Sequence, residues 1–433
     1  MLADPAIRMV FAIAGLLVLT SVSLPLARAM RLPYTVLLAL LGLALGLGAE
    51  FLPAAHGFAG DFMASLGAIK VSASALLYLF LPPLLFAAGL TIDSRRLADD
   101  FGAIILLAVG AVLVCTLVVG ALLHGLTAQT WLACLLLGAV VATTDSAAVI
   151  AIFRDLAAPR RLTVLLEGES LFNDAAAIAI YAVLVAVISA GPMTHIGHPL
   201  LGGLFGFGGG IAFGFIAARV TGFLVARLKD VPTAEITVTI ALAYLTYVIA
   251  ESYLHVSGVM SVITAAMTFS SIGRTQMSPG VWPGLVGTWR MLDFWATSLI
   301  FCLGAMFVPQ AIHAITGEDL LVVALLFVGT LLARAIVLYG MWPLLRSAHL
   351  VQPISNAYRA VILWGGLRGA VTIALALSVN QTQALPPELR RFVLVGATGY
   401  TLATLLINAV SLRPLMRLIG LRRLTTGESA LAS

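Results

Sequence analysis

Residues 162–190 read LTVLLEGESLFNDAAAIAIYAVLVAVISA, an apolar run interrupted by three carboxylates within eight positions. About 20 apolar residues are enough for an α-helix to cross a bilayer, so this stretch is long enough to span one. Glu167, Glu169 and Asp174 fall inside the span, where a charge costs about 2.5–3.5 kcal/mol on insertion scales unless it finds a partner or a wet cavity. The stretch therefore predicts a membrane helix that carries a polar site at mid-depth.

The composition extends this prediction to the whole chain. Of 433 residues 61% are hydrophobic and only 10% are charged, whereas a soluble domain carries about a quarter charged residues. The segments are continuously apolar and do not alternate with period two, which excludes a strand barrel. A net charge of +5 without a dense basic run gives no indication of nucleic-acid binding. The fold class predicted is an all-α polytopic membrane protein.

Hydropathy and loop residues predict thirteen transmembrane helices. They lie near 9–27, 33–52, 72–92, 102–126, 131–153, 162–190, 200–226, 232–254, 256–273, 284–308, 319–345, 357–379 and 391–413. The segments 232–254 and 256–273 are hard to separate, so the number of spans is decided by the basic residues.

Basic residues concentrate in the odd-numbered loops and the tail. The odd loops and tail hold Arg28, Arg31, Arg95, Arg96, Arg154, Arg160, Arg161, Arg227, Lys229, Arg274, Arg346, Arg413, Arg417, Arg422 and Arg423, whereas the even loops hold Lys70, Arg390 and Arg391. The positive-inside rule then places the C-terminus in the cytoplasm and the N-terminus outside, which requires an odd number of spans.

Charged residues at mid-span are the candidate functional residues. Asp145 lies in the fifth span and Arg368 in the twelfth, with Arg290, Asp293 and Arg334 as further candidates. In the sixth span Ser170 and Asp174 share one helix face, and Glu169 and Asn173 share a neighbouring one. We expect Glu169 to pair with Arg368, which leaves Asp174 to bind an ion or a proton.

Two of the spans are predicted to be interrupted. The twelfth contains three glycines within 365–369, and the fifth has two threonines directly before Asp145. Non-helical backbone at membrane depth is tolerated where it lines protein or a cavity, and in transporters it forms the ion site. The exposed carbonyl and hydroxyl oxygens are hard ligands, suited to alkali or alkaline-earth cations.

Three segments resemble the signatures of the monovalent cation:proton antiporters, a family that includes the NhaP-type prokaryotic antiporters and the animal sodium/hydrogen exchangers. They are TTDSAAVIAIF at 143–153, EGESLFND at 167–174 and WGGLRGAV at 364–371, with supporting matches in FLPPLLF at 80–86 and SGV at 257–259. The resemblance covers about residues 75–380, in order along the chain.

The resemblance implies a fold of two inverted repeats in which the discontinuous fifth and twelfth helices cross. It implies a transmembrane domain over 1–413 and a short cytoplasmic tail over 414–433. The core domain would lie near 72–190 and 319–413, and the dimerisation domain would include helices near 9–52 and 200–254. The protein would be a homodimer of the plasma (inner) membrane and a transporter without a cofactor.

The same resemblance implies the site residues. Asp174 would bind the Na⁺ ion and the proton, with Ser170, Asp145 and Thr144 around it. Glu169 and Arg368 would form a structural pair, and Asn173 would tie the helices together. Members with Asn before this Asp are usually electroneutral exchangers of one Na⁺ or Li⁺ for one proton, and K⁺/H⁺ exchange is the alternative within the family.

Three positions depart from the family pattern. Ser146 stands where the family usually has Pro, and Ala87 and Arg290 stand where many members have an acidic residue. Fewer anionic ligands are expected to weaken Na⁺ affinity or to change the ion preference.

Two other functional classes fit the charges less well. An intramembrane aspartyl protease would need Asp145 and Asp174 to share a proton as a diad, but the sequence contexts of such proteases are absent. A cation channel would need a selectivity filter of carbonyls or charged rings, and no such loop is present in the sequence.

Overall fold

The computed structural model describes residues 4–30, 32–51, 58–67, 73–92, 100–146, 149–150, 152–153, 160–190, 197–306, 316–349 and 351–420. Within these ranges the regular structure is entirely helical. Seven of the described helices are long and apolar enough to cross a membrane, and shorter apolar helices lie between them. The prediction of an all-α polytopic membrane protein is confirmed.

In chain order the described helices are α1 Pro5–Met30, α2 Tyr34–Phe51, α3 Phe58–Gly67, α4 Ala73–Thr91, α5 Phe101–Leu126, α6 Trp131–Val140, α7 Arg160–Ala190, α8 Gly197–Val225, α9 Pro232–Leu254, α10 Gly258–Gln276, α11 Val281–Met306, α12 Gly317–Ser347, α13 Asn356–Trp364, α14 Ala370–Gln381 and α15 Pro387–Leu418.

Each of the thirteen predicted segments contains helix within the described residues. The segments 232–254 and 256–273, which the sequence hardly separates, are two helices, α9 and α10. They are separated where His255 adopts a left-handed backbone (φ 52°) and Ser257 caps the next helix. The short helix α3 was not predicted as a separate element. Its apolar side packs against α1, where Phe62 makes an edge-on contact with Phe11.

The two interrupted spans are broken where the sequence predicts. In the fifth span α6 ends at Val140 and non-helical backbone continues through 141–146, with helix again at 149–150 and 152–153. In the twelfth span the glycine-rich stretch separates α13 from α14. The breaks meet, because the backbone N–H of Asp145 donates to the carbonyl of Leu367 at 2.8 Å.

Arg368 satisfies the carbonyls that the first break leaves without a helical partner. Its Nη1 donates to the carbonyl oxygens of Ala142 at 3.0 Å and Thr143 at 2.6 Å. Buried backbone carbonyls need such partners in a medium without water. The guanidinium also lies over the ring of Tyr400, 5.5 Å from its centroid. Arg368 therefore holds the two broken helices together.

Helix α7 carries the acidic segment past these breaks. It packs against α6 and against the first half of α5, and Gly168 allows the approach because a Cβ there would lie 2.9 Å from Ile104. Helices α4, α11 and α14 pack against one another. A cavity whose wall carries several polar side chains lies between these two groups of helices.

Candidate functional site

The cavity between the broken helices, α7 and α11 has a volume of about 450 Å³. Its polar lining includes Thr143, Thr144, Asp145, Ser146, Glu167, Ser170, Asp174, Arg290, Asp293 and Thr297. The structure therefore brings together four predicted ion-site residues from two separate helices: Asp174, Asp145, Ser170 and Thr144.

Asp174 has an unsatisfied carboxylate oxygen, as Glu169 does at Oε2. Its Oδ1 is buried and makes no hydrogen bond to any described residue. Ser170 lies one turn earlier on α7, and its hydroxyl donates to the carbonyl of Thr144 at 2.9 Å. The same Ser170 oxygen accepts a longer bond, 3.4 Å, from the backbone N–H of Ser146. One hydroxyl therefore connects α7 to the broken helix beside the unsatisfied carboxylate.

Asp145 is held at the crossing of the two breaks. Its backbone is bonded to Leu367, and its side chain lies against Gly369, where a Cβ would approach the Asp145 Oδ2 to 2.7 Å. Only glycine leaves room for the carboxylate in this position. Asp145 also lines the cavity, so the crossing directs an acidic side chain toward the same space as Asp174.

The hydroxyl of Thr144 is already engaged. It accepts a hydrogen bond from Nδ2 of Asn173 and donates to Oε1 of Glu169 at 3.3 Å. Both neighbours lie on the second face of α7, one helical turn apart. The oxygen of Thr144 that remains suitable as an ion ligand is its carbonyl, which has two lone pairs and accepts from Ser170 with one.

The prediction that Glu169 forms an ion pair with Arg368 is wrong, because the partner of Glu169 is a different arginine. Glu169 is 2% exposed and forms its ion pair with Arg334 of α12, whose Nη2 contacts Oε1. The other guanidinium nitrogen of Arg334 donates to the carbonyl of Ile362, near the end of α13. Arg368 binds the carbonyls of the first break instead. Arg334 neutralises the charge of the buried acid because α12 lies beside the second break, although Oε2 of Glu169 makes no hydrogen bond to a described residue. Spacing within one helix carries no information about that neighbour.

The positions that depart from the family pattern face the cavity. Ala87 and Arg290 both line it, and Ser146 lies in the first break. Asp293 also lines the cavity, although the sequence named it only as a further mid-span charge. The sequence shows that Asp293 lies one turn after Arg290. It does not show which helix packs against the two broken helices.

The donor set suits a weakly held cation. Among the described residues no group of three or more His, Cys, Asp or Glu side chains is placed to hold a metal ion. The oxygens available to a cation are those of the Asp174 carboxylate, the Ser170 hydroxyl and the Thr144 carbonyl. The Asp145 carboxylate lines the same cavity. Such hard oxygen donors suit alkali cations, and their low number suits an ion that must also leave.

A family model describes the same region of the chain. Residues 15–418 match the model for "Sodium/hydrogen exchanger, transmembrane". This chain belongs to the sodium/hydrogen exchanger family. The family resemblance drawn from the three motifs is confirmed, and with it the assignment to a family of membrane transporters that exchange Na⁺ for H⁺.

Relatives of the exchanger family agree with this assignment. The chain is 32% identical to the Na(+)/H(+) antiporter ApNhaP of Aphanothece halophytica, over 90% of this chain and 70% of that protein. It is 31% identical to Sodium/hydrogen exchanger 7 of Arabidopsis thaliana, over 93% of this chain but only 36% of that longer protein.

A solved structure has the same fold. The sodium proton antiporter MjNhaP1 from Methanocaldococcus jannaschii at pH 8 superposes with a TM-score of 0.78, covering 96% of this chain and 100% of that one at 19% identity. At this identity the likeness concerns the fold alone. It confirms the antiporter architecture predicted for the helices.

Proposed function

We propose that this exchanger moves one Na⁺ or Li⁺ ion against one proton, and that the two compete for Asp174. The observation that carries the proposal is the buried Asp174 Oδ1, which has no hydrogen-bond partner among the described residues although Asp174 lines the cavity. The neighbouring acid Glu169 is neutralised by Arg334. Of these two acids, Asp174 is therefore the one whose charge an ion or a proton can balance.

The competition accounts for exchange. Ionised Asp174 binds a dehydrated cation together with the hydroxyl of Ser170, the carbonyl of Thr144 and the nearby Asp145 carboxylate. Protonated Asp174 is neutral and cannot hold the cation. The empty anion is costly to move through a low-dielectric region, whereas either loaded state has a smaller net charge at the site. Obligatory exchange follows if only loaded states cross.

The movement proposed is that of one helix bundle against the other around this site. Asn173, Glu169 and Arg368 support the site from the side of the core domain, near 72–190 and 319–413. The helices near 9–52 and 200–254 form the dimerisation domain of a homodimer. We expect the transporter to lie in the plasma (inner) membrane, with the N-terminus outside and the C-terminus in the cytoplasm. No cofactor is required, and no enzymatic reaction is proposed.

The alternatives receive less support. The names of the relatives mention sodium, so K⁺/H⁺ exchange is not favoured. An aspartyl protease diad of Asp145 and Asp174 would belong to a hydrolase, whereas the family is one of transporters.

The test uses everted membrane vesicles with an acidified interior and a pH-sensitive dye. Adding Na⁺ should release the quenched fluorescence, adding K⁺ should not, and clamping the membrane potential at zero should leave the rate unchanged. Asp174→Asn should abolish the Na⁺ response, because the amide carries no negative charge. Asp230→Asn is the matched control, since Asp230 is exposed in the turn between α8 and α9. Full activity of Asp174→Asn at normal expression would overturn the competition mechanism.

A further inference from the structure

Asp293 is a third aspartate on the cavity wall, and it lies on a different helix from Asp174. It belongs to α11, which packs against α14 and α4. The residues of α11 that line the cavity recur at helical spacing: Val286, Trp289, Arg290, Asp293, Thr297 and Phe301. Positions three or four apart share one side of a helix. Arg290, Asp293 and Thr297 therefore form a polar stripe in the middle of an otherwise apolar helix face.

The charge of Asp293 is not neutralised within its own helix. Arg290 lies one turn earlier on the same face, but among the described residues it forms no ion pair with Asp293 within 4.0 Å. Asp145 of the broken fifth span lines the same cavity as Asp293. Two carboxylates that face one cavity repel each other, and a cation that enters between them stabilises both.

Two acids of the described helices outside the cavity, Glu235 and Glu251, have partners that explain their positions. Both oxygens of Glu235 accept hydrogen bonds from Ser278, through its N–H at 2.9 Å and its hydroxyl at 2.5 Å. Glu251 accepts from the N–H of Gly258 at 2.9 Å. Each of these acids fastens the end of a helix. Asp293 makes no such bond in the described part of the chain, so its position is not explained by the packing of helix ends.

We propose that Asp293 determines how strongly the cavity attracts its cation, as an acid that faces the transport site without being its central ligand. This inference rests on the proposed exchange at Asp174. The anion on α11 raises the local concentration of cations and stabilises an ion that is shared with Asp145. Arg290 acts in the opposite sense, because its positive charge lies one turn away on the same polar stripe.

The experiment measures the KM for Na⁺ and the maximal rate in everted vesicles for Asp293→Asn, Asp293→Glu and Arg290→Gln. Removing one negative charge near a bound cation inside a protein should raise the KM for Na⁺ on the order of tenfold in Asp293→Asn, with a smaller change in maximal rate. Asp293→Glu should restore a KM close to that of the parent, and Arg290→Gln should lower it. Asp230→Asn removes the same charge from an exposed turn and should leave KM unchanged.

The outcomes separate this inference from the proposed function. An unaltered KM for Na⁺ in Asp293→Asn, in an otherwise active protein, would overturn the role of Asp293 and leave Asp174 untouched. An absent Na⁺ response in the parent protein would instead overturn the proposed function. If Asp293→Asn fails to accumulate in the membrane, Arg290→Gln tests the proposal instead. The proposal expects the KM for Na⁺ to fall in that variant, and a KM that does not fall would contradict it. A KM that rises equally for Asp293→Asn and Asp293→Glu would indicate a packing role and also count against the proposal.

Discussion

The buried Glu169–Arg334 pair gives a prediction that distinguishes the structure from the pairing expected from sequence. Glu169 is 2% exposed and Arg334 8% exposed. At an effective dielectric constant of about 20, two unit charges about 4 Å apart attract by about 4 kcal/mol. Removing one partner of such a buried pair typically costs about 3–5 kcal/mol, because the remaining charge stays buried. Arg334→Met should therefore lower the free energy of unfolding by about 3–5 kcal/mol.

The assay is a double-mutant cycle in detergent micelles, with the free energy of unfolding measured by denaturant titration. Glu169→Gln keeps the size of the side chain, and the double variant Glu169→Gln/Arg334→Met removes both charges together. We expect a coupling energy of about 2 kcal/mol or more between Glu169 and Arg334. The cycle between Glu169 and Arg368 should give about 0.5 kcal/mol, because the guanidinium of Arg368 is bonded to carbonyls.

An exposed ion pair serves as the control. Arg391 and Asp319 are 2.8 Å apart, and the arginine side chain is 48% exposed. Such pairs contribute about 0–1 kcal/mol, so Arg391→Met should have a small effect. A coupling energy for Glu169–Arg368 that equals or exceeds that for Glu169–Arg334 would refute the assignment of the buried partner.

The remaining predictions concern glycines at close contacts. Gly210→Ala should destabilise the protein by about 1–3 kcal/mol, because the new Cβ would lie 2.6 Å from the carbonyl of a serine next to α10. Gly208→Ala in the same helix meets nothing within 4 Å and should be neutral or stabilising by up to about 1 kcal/mol in thermal unfolding. Gly369→Ala should abolish Na⁺-dependent dye dequenching, since its Cβ would displace the carboxylate of Asp145. Gly287→Ala, with open space around its Cα, should transport normally, and equal activity of both variants would contradict the crowding argument.

The sequence alone predicted the helices and the interruptions well. Hydropathy located the spans because crossing a bilayer requires long apolar helices, whatever the tertiary contacts. The glycine-rich stretch at 365–369 and the paired threonines before Asp145 located the breaks, and the structure has both. Helical periodicity also placed Ser170 and Asp174 on one face of α7. These properties are local, so the residues within one or two turns are enough to determine them.

The tertiary structure decided which charges meet. Glu169 and Arg334 are 165 positions apart, and no spacing rule connects them. Periodicity fixes the face of a helix on which a side chain lies, but not the rotation of that helix or the neighbour it meets. For this reason the sequence located charged residues within the helical spans of this exchanger but paired Glu169 with the wrong arginine. Asp293 lines the cavity for the same reason: its helix packs beside the broken pair, and only the folded chain determines that.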